Sequence, residues 1–160
     1  CTLLFPELMS MNNQSTKNHA AAQMLRIILV ITVFLGSFVF IITPSIIPMV
    51  FGEDYSSAVP LVRLMIVGVI VGASYQTLTR FFSAINKQTY SIISGLIGAL
   101  FGIIALFIFM PLYGILGAAI SFAVAQSVVG ISTLLLFKLY TKMSLKDLLY
   151  LNFDDFRFSK

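Results

Sequence analysis

Charge is what this chain has least of. Lysine, arginine, aspartate and glutamate together make up 10% of its 160 residues, while 59% are hydrophobic; an ordinary soluble domain carries about 25% charged residues. A water-soluble domain of this size has no core large enough to hide so much apolar surface, and the remainder would be exposed and aggregate. The scarcity of charge therefore points to lipid as the solvent. The formal net charge of +4 does not make a nucleic-acid-binding protein, because ten basic residues scattered along an apolar chain form no basic patch. Cysteine is almost absent too. Cys1 alone permits no internal disulfide and says nothing of the redox compartment. The single histidine, His19, has no Cys, His or carboxylate neighbour at ligand spacing, so a loop histidine is expected there and no metal site.

The sequence also lacks the motifs of catalysis. There is no nucleotide-binding glycine loop, no pair of acids within an apolar stretch, and no Ser-His-Asp or Cys-His set. The ionisable side chains that fall within apolar segments are arginines, which are poor general acids or bases. An enzyme is not expected, and neither is a cofactor.

What the chain does have is long uncharged stretches. Ile27 to Phe51 is 25 residues, which as a helix reaches about 37 Å and crosses a hydrocarbon core of about 30 Å with some tilt. Pro44 and Pro48 lie in its last third and are expected to kink or loosen that end. A second segment, 57–84, spans if Arg63 and Arg80 lie inside the helix and extend toward opposite head-group layers. From Gln88 to Phe137 no residue is charged. That length divides at Pro111-Leu-Tyr-Gly114, a turn signal, into spans 90–110 and 115–137. The expected fold is an all-α transmembrane bundle with four membrane-spanning helices over 27–142.

The basic residues give an independent check. Lys17, Arg26, Arg80, Lys87, Lys138, Lys142, Lys146, Arg157 and Lys160 are nine of the ten, and four spans place all of them on one side. By the positive-inside rule that side is the cytoplasm, with both chain ends on it. Outside the spans, residues 1–8 read as the end of a preceding, truncated helix, and the chain as the C-terminal part of a longer protein. Residues 9–26 read as a cytoplasmic loop and helix entry, with a polar run from Asn12 to Lys17. Residues 143–160 open on Ser144-Leu-Lys-Asp147, a capping-box pattern, and continue as an amphipathic tail that suits either the membrane surface or solvent.

Small residues at four-residue spacing let membrane helices approach closely, because lipid gives apolar side chains no incentive to pair. Gly68 and Gly72 are so spaced in the second span; Ser91, Gly95 and Ala99 form one row in the third, and Ser94, Gly98 and Gly102 the next; Gly114, Gly117, Ala118, Ala119 and Ser121 open the fourth. Such rows serve either static packing or a seam that opens and closes. Gln76, Arg80, Ser83 and Lys87 recur on one helical face, with Arg63, Ser74 and Thr77 in an adjacent sector. Intramembrane charge usually faces a bundle interior or a watery cavity. Arg63, Gln76, Arg80 and, in the fourth span, Gln126 are therefore the substrate-cavity candidates, and a cationic strip of this kind suits an anionic ligand such as a pyrophosphate-linked lipid. The plainer reading makes Arg80 and Lys87 flanking charges, lets Arg63 snorkel outward, and gives Gln126 an interhelical hydrogen bond.

Three pieces carry a family resemblance: Phe5-Pro-Glu-Leu8; Phe51-Gly-Glu-Asp-Tyr-Ser-Ser-Ala58, followed by a span leading to Phe82-Ser-Ala-Ile-Asn-Lys87; and Pro111-Leu-Tyr-Gly-Ile-Leu-Gly-Ala-Ala-Ile-Ser121. In order and spacing they resemble the C-terminal third of polysaccharide biosynthesis proteins, the Wzx-type O-antigen and oligosaccharide flippases of the multidrug/oligosaccharidyl-lipid/polysaccharide exporter superfamily. The resemblance implies a full-length protein of about twelve or more helices in two bundles around a central cavity, working by alternating access. It implies that a lipid-linked saccharide crosses the bacterial inner membrane, with membrane lipid and the missing N-terminal helices as the other partners. It supplies no signature residue for the site. Rival readings are a drug/cation antiporter or lipid II flippase of the same superfamily, or a non-transporting membrane scaffold. An antiporter calls for an acid within a span, and these four have none.

Overall fold

The computed structural model describes residues 14–141, with side chains from residue 20 onward. The expected truncated helix over 1–8, the capping box at Ser144 and the amphipathic tail over 143–160 lie outside the described residues. Within them the chain forms four α-helices: α1 Gln14–Phe51, α2 Val59–Ala84, α3 Gln88–Tyr113 and α4 Ile115–Thr141. A 3₁₀ segment, Glu53–Ala58, joins α1 to α2. All four contain segments long and apolar enough to cross a membrane. In hydrocarbon every backbone N–H and C=O needs an internal partner, and an uninterrupted helix supplies one within each segment. The chain is a multi-pass membrane protein by this architecture.

Helix ends are where expectation and structure part. α1 has 38 residues, about 57 Å, and begins well before Ile27. The polar residues Gln14 to Lys17 and His19 are helical, not loop. Once a helix exists each added residue gains a hydrogen bond, and three alanines, Ala20 to Ala22, favour extension. Tertiary packing supports this: Ala21, Ala22 and Leu25 are buried with Leu78, Phe81, Phe82 and Phe137. At its other end α1 runs helical through Pro44 and Pro48 to Phe51, the limit expected for this span. The second correction concerns Pro111. It and the next two residues are the last turn of α3, and Gly114 alone makes the reversal, with φ 58° and its N–H on the Met110 carbonyl at 2.8 Å. A positive φ costs glycine nothing.

The helices do not pack in chain order. α4 makes its broadest contacts with α3 and then α2, whereas α2 and α3 touch little and α1 leans on α2. The spatial order is therefore α1, α2, α4, α3. Glycines explain why α4 can occupy the wedge. A Cβ on Gly68 would lie 2.7 Å from the Ala123 Cα, and one on Gly102 2.7 Å from the Ala125 Cβ. A Cβ on Gly98 would collide with the Val129 side chain, one on Gly117 with the Phe109 carbonyl, and one on Gly130 with the Val71 carbonyl. Ser74 Oγ completes the α2–α4 seam by donating to the Gly130 carbonyl at 3.3 Å. Of the packing glycines expected, Gly95 is the exception, since a Cβ there would meet only the Tyr75 hydroxyl at 3.4 Å.

At the Lys87 end, aromatic rings draw the helices together. Phe81 and Phe137 meet edge to face at 5.1 Å between centroids, Phe82 stacks on Tyr90 at 5.2 Å, and Tyr140 closes the group. The outer faces of the bundle are oily: Phe34 is 72% exposed and Phe107 78%. Water would not tolerate such surfaces over all four helices; lipid does.

These contacts predict a contrast between two glycines. Gly130→Ala drives a methyl into a main-chain carbonyl and should destabilise the bundle by about 1–3 kcal/mol. Gly95→Ala should be close to neutral, because its Cβ enters ordinary contact distance. Thermal midpoints of the two purified variants in one detergent would check this; equal midpoints would contradict the packing described.

Candidate functional site

The four polar candidates are not gathered into one cavity; α2 distributes them. Arg63 lies on the α1–α2 seam, where its Nε donates to the Phe40 carbonyl at 3.3 Å and its Cζ sits 4.8 Å over the Phe40 ring. Gln126 lies on the α2–α4 seam, its Oε1 2.8 Å from where a Cβ on Gly72 would be. Gly72 thus makes room for an amide rather than for a backbone. The interhelical hydrogen bond expected of Gln126 is not formed among the described residues; on this seam it is Ser74 that bonds across.

Gln76 and Arg80 share a third sector of α2. Both are exposed, on the side that neither α1 nor α4 covers. Ser83, half-buried, continues this face one turn further on, but α2 ends at Ala84 and Lys87, exposed, caps the start of α3, so the helical face expected to run to Lys87 stops at Ser83. From Gln76 to Ser83 it rises about 10 Å. Arg80 makes no hydrogen bond or ion pair among the described residues. The acids Glu53 and Asp54 lie at the other end of α2. The remaining sector residues are structural: Ser74 also reaches the Val71 carbonyl, and Thr77 Oγ1 donates to the Ala73 carbonyl at 3.2 Å.

Two buried hydroxyls near this end went unnoticed in the sequence. Thr79 Oγ1, beside Arg80, and Ser91 Oγ, early in α3, have no hydrogen-bond partner among the described residues. An unmatched buried hydroxyl is costly, yet nothing in the local sequence separates these two from Ser94, which donates back to the Tyr90 carbonyl at 3.0 Å. A concavity lies elsewhere, at the Glu53 end. A groove of about 370 Å³ opens between α1, the 3₁₀ segment and α2, lined by Val39, Ile42, Ile46, Phe51, Tyr55 and Val62 among others. Its walls are almost wholly apolar, which suits hydrocarbon and offers an anion nothing.

Chemically, then, the described residues provide a cationic, amide-bearing strip on α2 that is open at the Lys87 end, and a greasy groove at the Glu53 end. No three of His, Cys, Asp and Glu come together among them to hold a metal. The chain matches no family model, no curated protein and no solved structure.

Proposed function

We propose that these helices belong to an exporter that moves a lipid-linked saccharide across the bacterial inner membrane, with the α2 strip contacting the anionic head group. The observation that carries this reading is Arg80: a guanidinium in an apolar helix, exposed, without a partner among the described residues, and on one helical face with Gln76 and Ser83. A cation left without a protein carboxylate in such a place is suited to a negative group brought by a ligand, and arginine's planar fork binds phosphate oxygens in pairs. The strip lies on a face these four helices leave uncovered. In an exporter of two bundles such a face borders the space between them, which is where the resemblance puts the substrate path. The Lys87 end then faces the cytoplasm, in line with the distribution of basic residues.

Two outcomes follow in the intact protein. Arg80→Ala should lower surface-polysaccharide export roughly tenfold, the loss of about 1.4 kcal/mol of interaction, at an unchanged amount of protein in the membrane. Arg80→Lys should recover part of it; full export in Arg80→Ala would remove this residue from the site. In a Cys1→Ser background, single cysteines replacing Asp54 and Lys87 should react with an impermeant maleimide from opposite sides of the membrane. Labelling of both from one side would overturn the orientation.

A further inference from the structure

Pro44 stands four residues after Phe40 in the interior of α1. In a regular helix the N–H of residue 44 would donate to the carbonyl of residue 40. Proline has no N–H, and its ring presses on that same carbonyl and tilts it outward. A carbonyl bared in water is rehydrated, but one bared in hydrocarbon stays costly until another donor reaches it. Arg63 reaches this one. It comes from α2, 23 residues along the chain, and its hydrogen bond and its cation–π contact are both to Phe40: Nε on the carbonyl oxygen and the guanidinium over the ring. No carboxylate among the described residues pairs with it. One residue back, Thr43 Oγ1 donates to the Val39 carbonyl at 2.6 Å, so the turn before the proline is braced from within α1 as well. α1 then runs helical to Phe51.

We propose that Arg63 is the latch of a proline hinge. Its guanidinium supplies the donor that Pro44 withholds from Phe40, and by doing so ties α1 to α2 at the turn before the proline, closing the loop made by the rest of α1 and the Glu53–Ala58 segment. With the latch closed, Ile47 is buried and the apolar groove keeps its walls. With it open, the Phe40 carbonyl has no donor from α2 and α1 bends at Pro44. This role is independent of any substrate, and it separates Arg63 from the exposed strip of Gln76 and Arg80.

The test is a mutant cycle in the intact protein, because Pro44→Ala restores the missing N–H and makes the latch redundant. Arg63→Ala alone should lower the thermal midpoint in detergent by several degrees and speed maleimide labelling of an Ile47→Cys reporter about tenfold, the loss of one hydrogen bond from a charged donor. Adding Pro44→Ala should return both readouts to those of Pro44→Ala by itself. If Arg63→Ala fails to accumulate, recovery of folded protein on adding Pro44→Ala supports the latch equally. The latch is overturned if the double variant stays as labile as Arg63→Ala, or if Arg63→Ala changes neither readout. Neither measurement involves export, so the exporter reading stands or falls separately.

Discussion

In hydrocarbon, a polar main-chain atom must find its partner inside the protein, and apolar side chains gain nothing by leaving lipid for one another. Both halves of that constraint are visible here. The first makes each spanning segment a helix, even across Pro44, Pro48 and Pro111. The second leaves close main-chain approach, dispersion contact and a few hydrogen bonds to hold the helices together. Hence α4 owes its place to glycines on all sides: Gly68 on α2, Gly98 and Gly102 on α3, Gly117 and Gly130 on itself. Large side chains at these positions would push α4 out of the wedge, and α2 and α3 have little direct contact with which to replace it.

Charge is confined for the same reason, yet the two arginines of α2 are treated in different ways. Arg63 is absorbed by the protein, with a carbonyl and a ring as its counterparts. Arg80 is left outward, next to Gln76, with no counterpart among the described residues. Composition counts both simply as cations in an apolar helix. The difference lies in which face of α2 is covered, and so in the packing order of the helices.

The number of helices, their approximate limits and most of the packing glycines were legible in the sequence, because hydrophobic length and small-residue spacing are local patterns. Helix ends were less so. The polar run reads as loop, but its described part, Gln14 to Lys17, is helical, and packing of Ala21, Ala22 and Leu25 against α2 and α4 favours that extension of α1. Pro111 reads as a turn, but a proline near the end of a helix costs little when the next glycine can reverse the chain. Gly130 escaped notice because it lies in no glycine row, and the aromatic group of Phe81, Phe82, Tyr90, Phe137 and Tyr140 because its members come from three helices. For the candidate site, the shared α2 face of Gln76, Arg80 and Ser83 was a matter of periodicity and was legible, whereas periodicity carried it on to Lys87, past the end of α2. The partition of Arg63 and Gln126 onto separate seams was not, since sequence does not say which helix is the neighbour.

The two ends of the bundle are built unequally, and that bears on where it can move. At the Lys87 end, rings from α2, α3 and α4 interlock with alanines and leucines of α1, and Phe82, Leu25, Leu78 and Phe137 are fully buried. Such a cluster is held by dispersion contact between large side chains packed together from four helices, so separating it is expensive. At the Glu53 end, α1 meets α2 through one long hydrogen bond, one cation–π contact and the wall of a half-open groove, beyond a helix position that has already lost its own hydrogen bond. Bending requires a joint of low stiffness beside a seam of low adhesion, and only this end has both among the described residues. A rearrangement of these four helices that keeps the bundle intact therefore pivots on the aromatic end and displaces the part of α1 beyond Pro44.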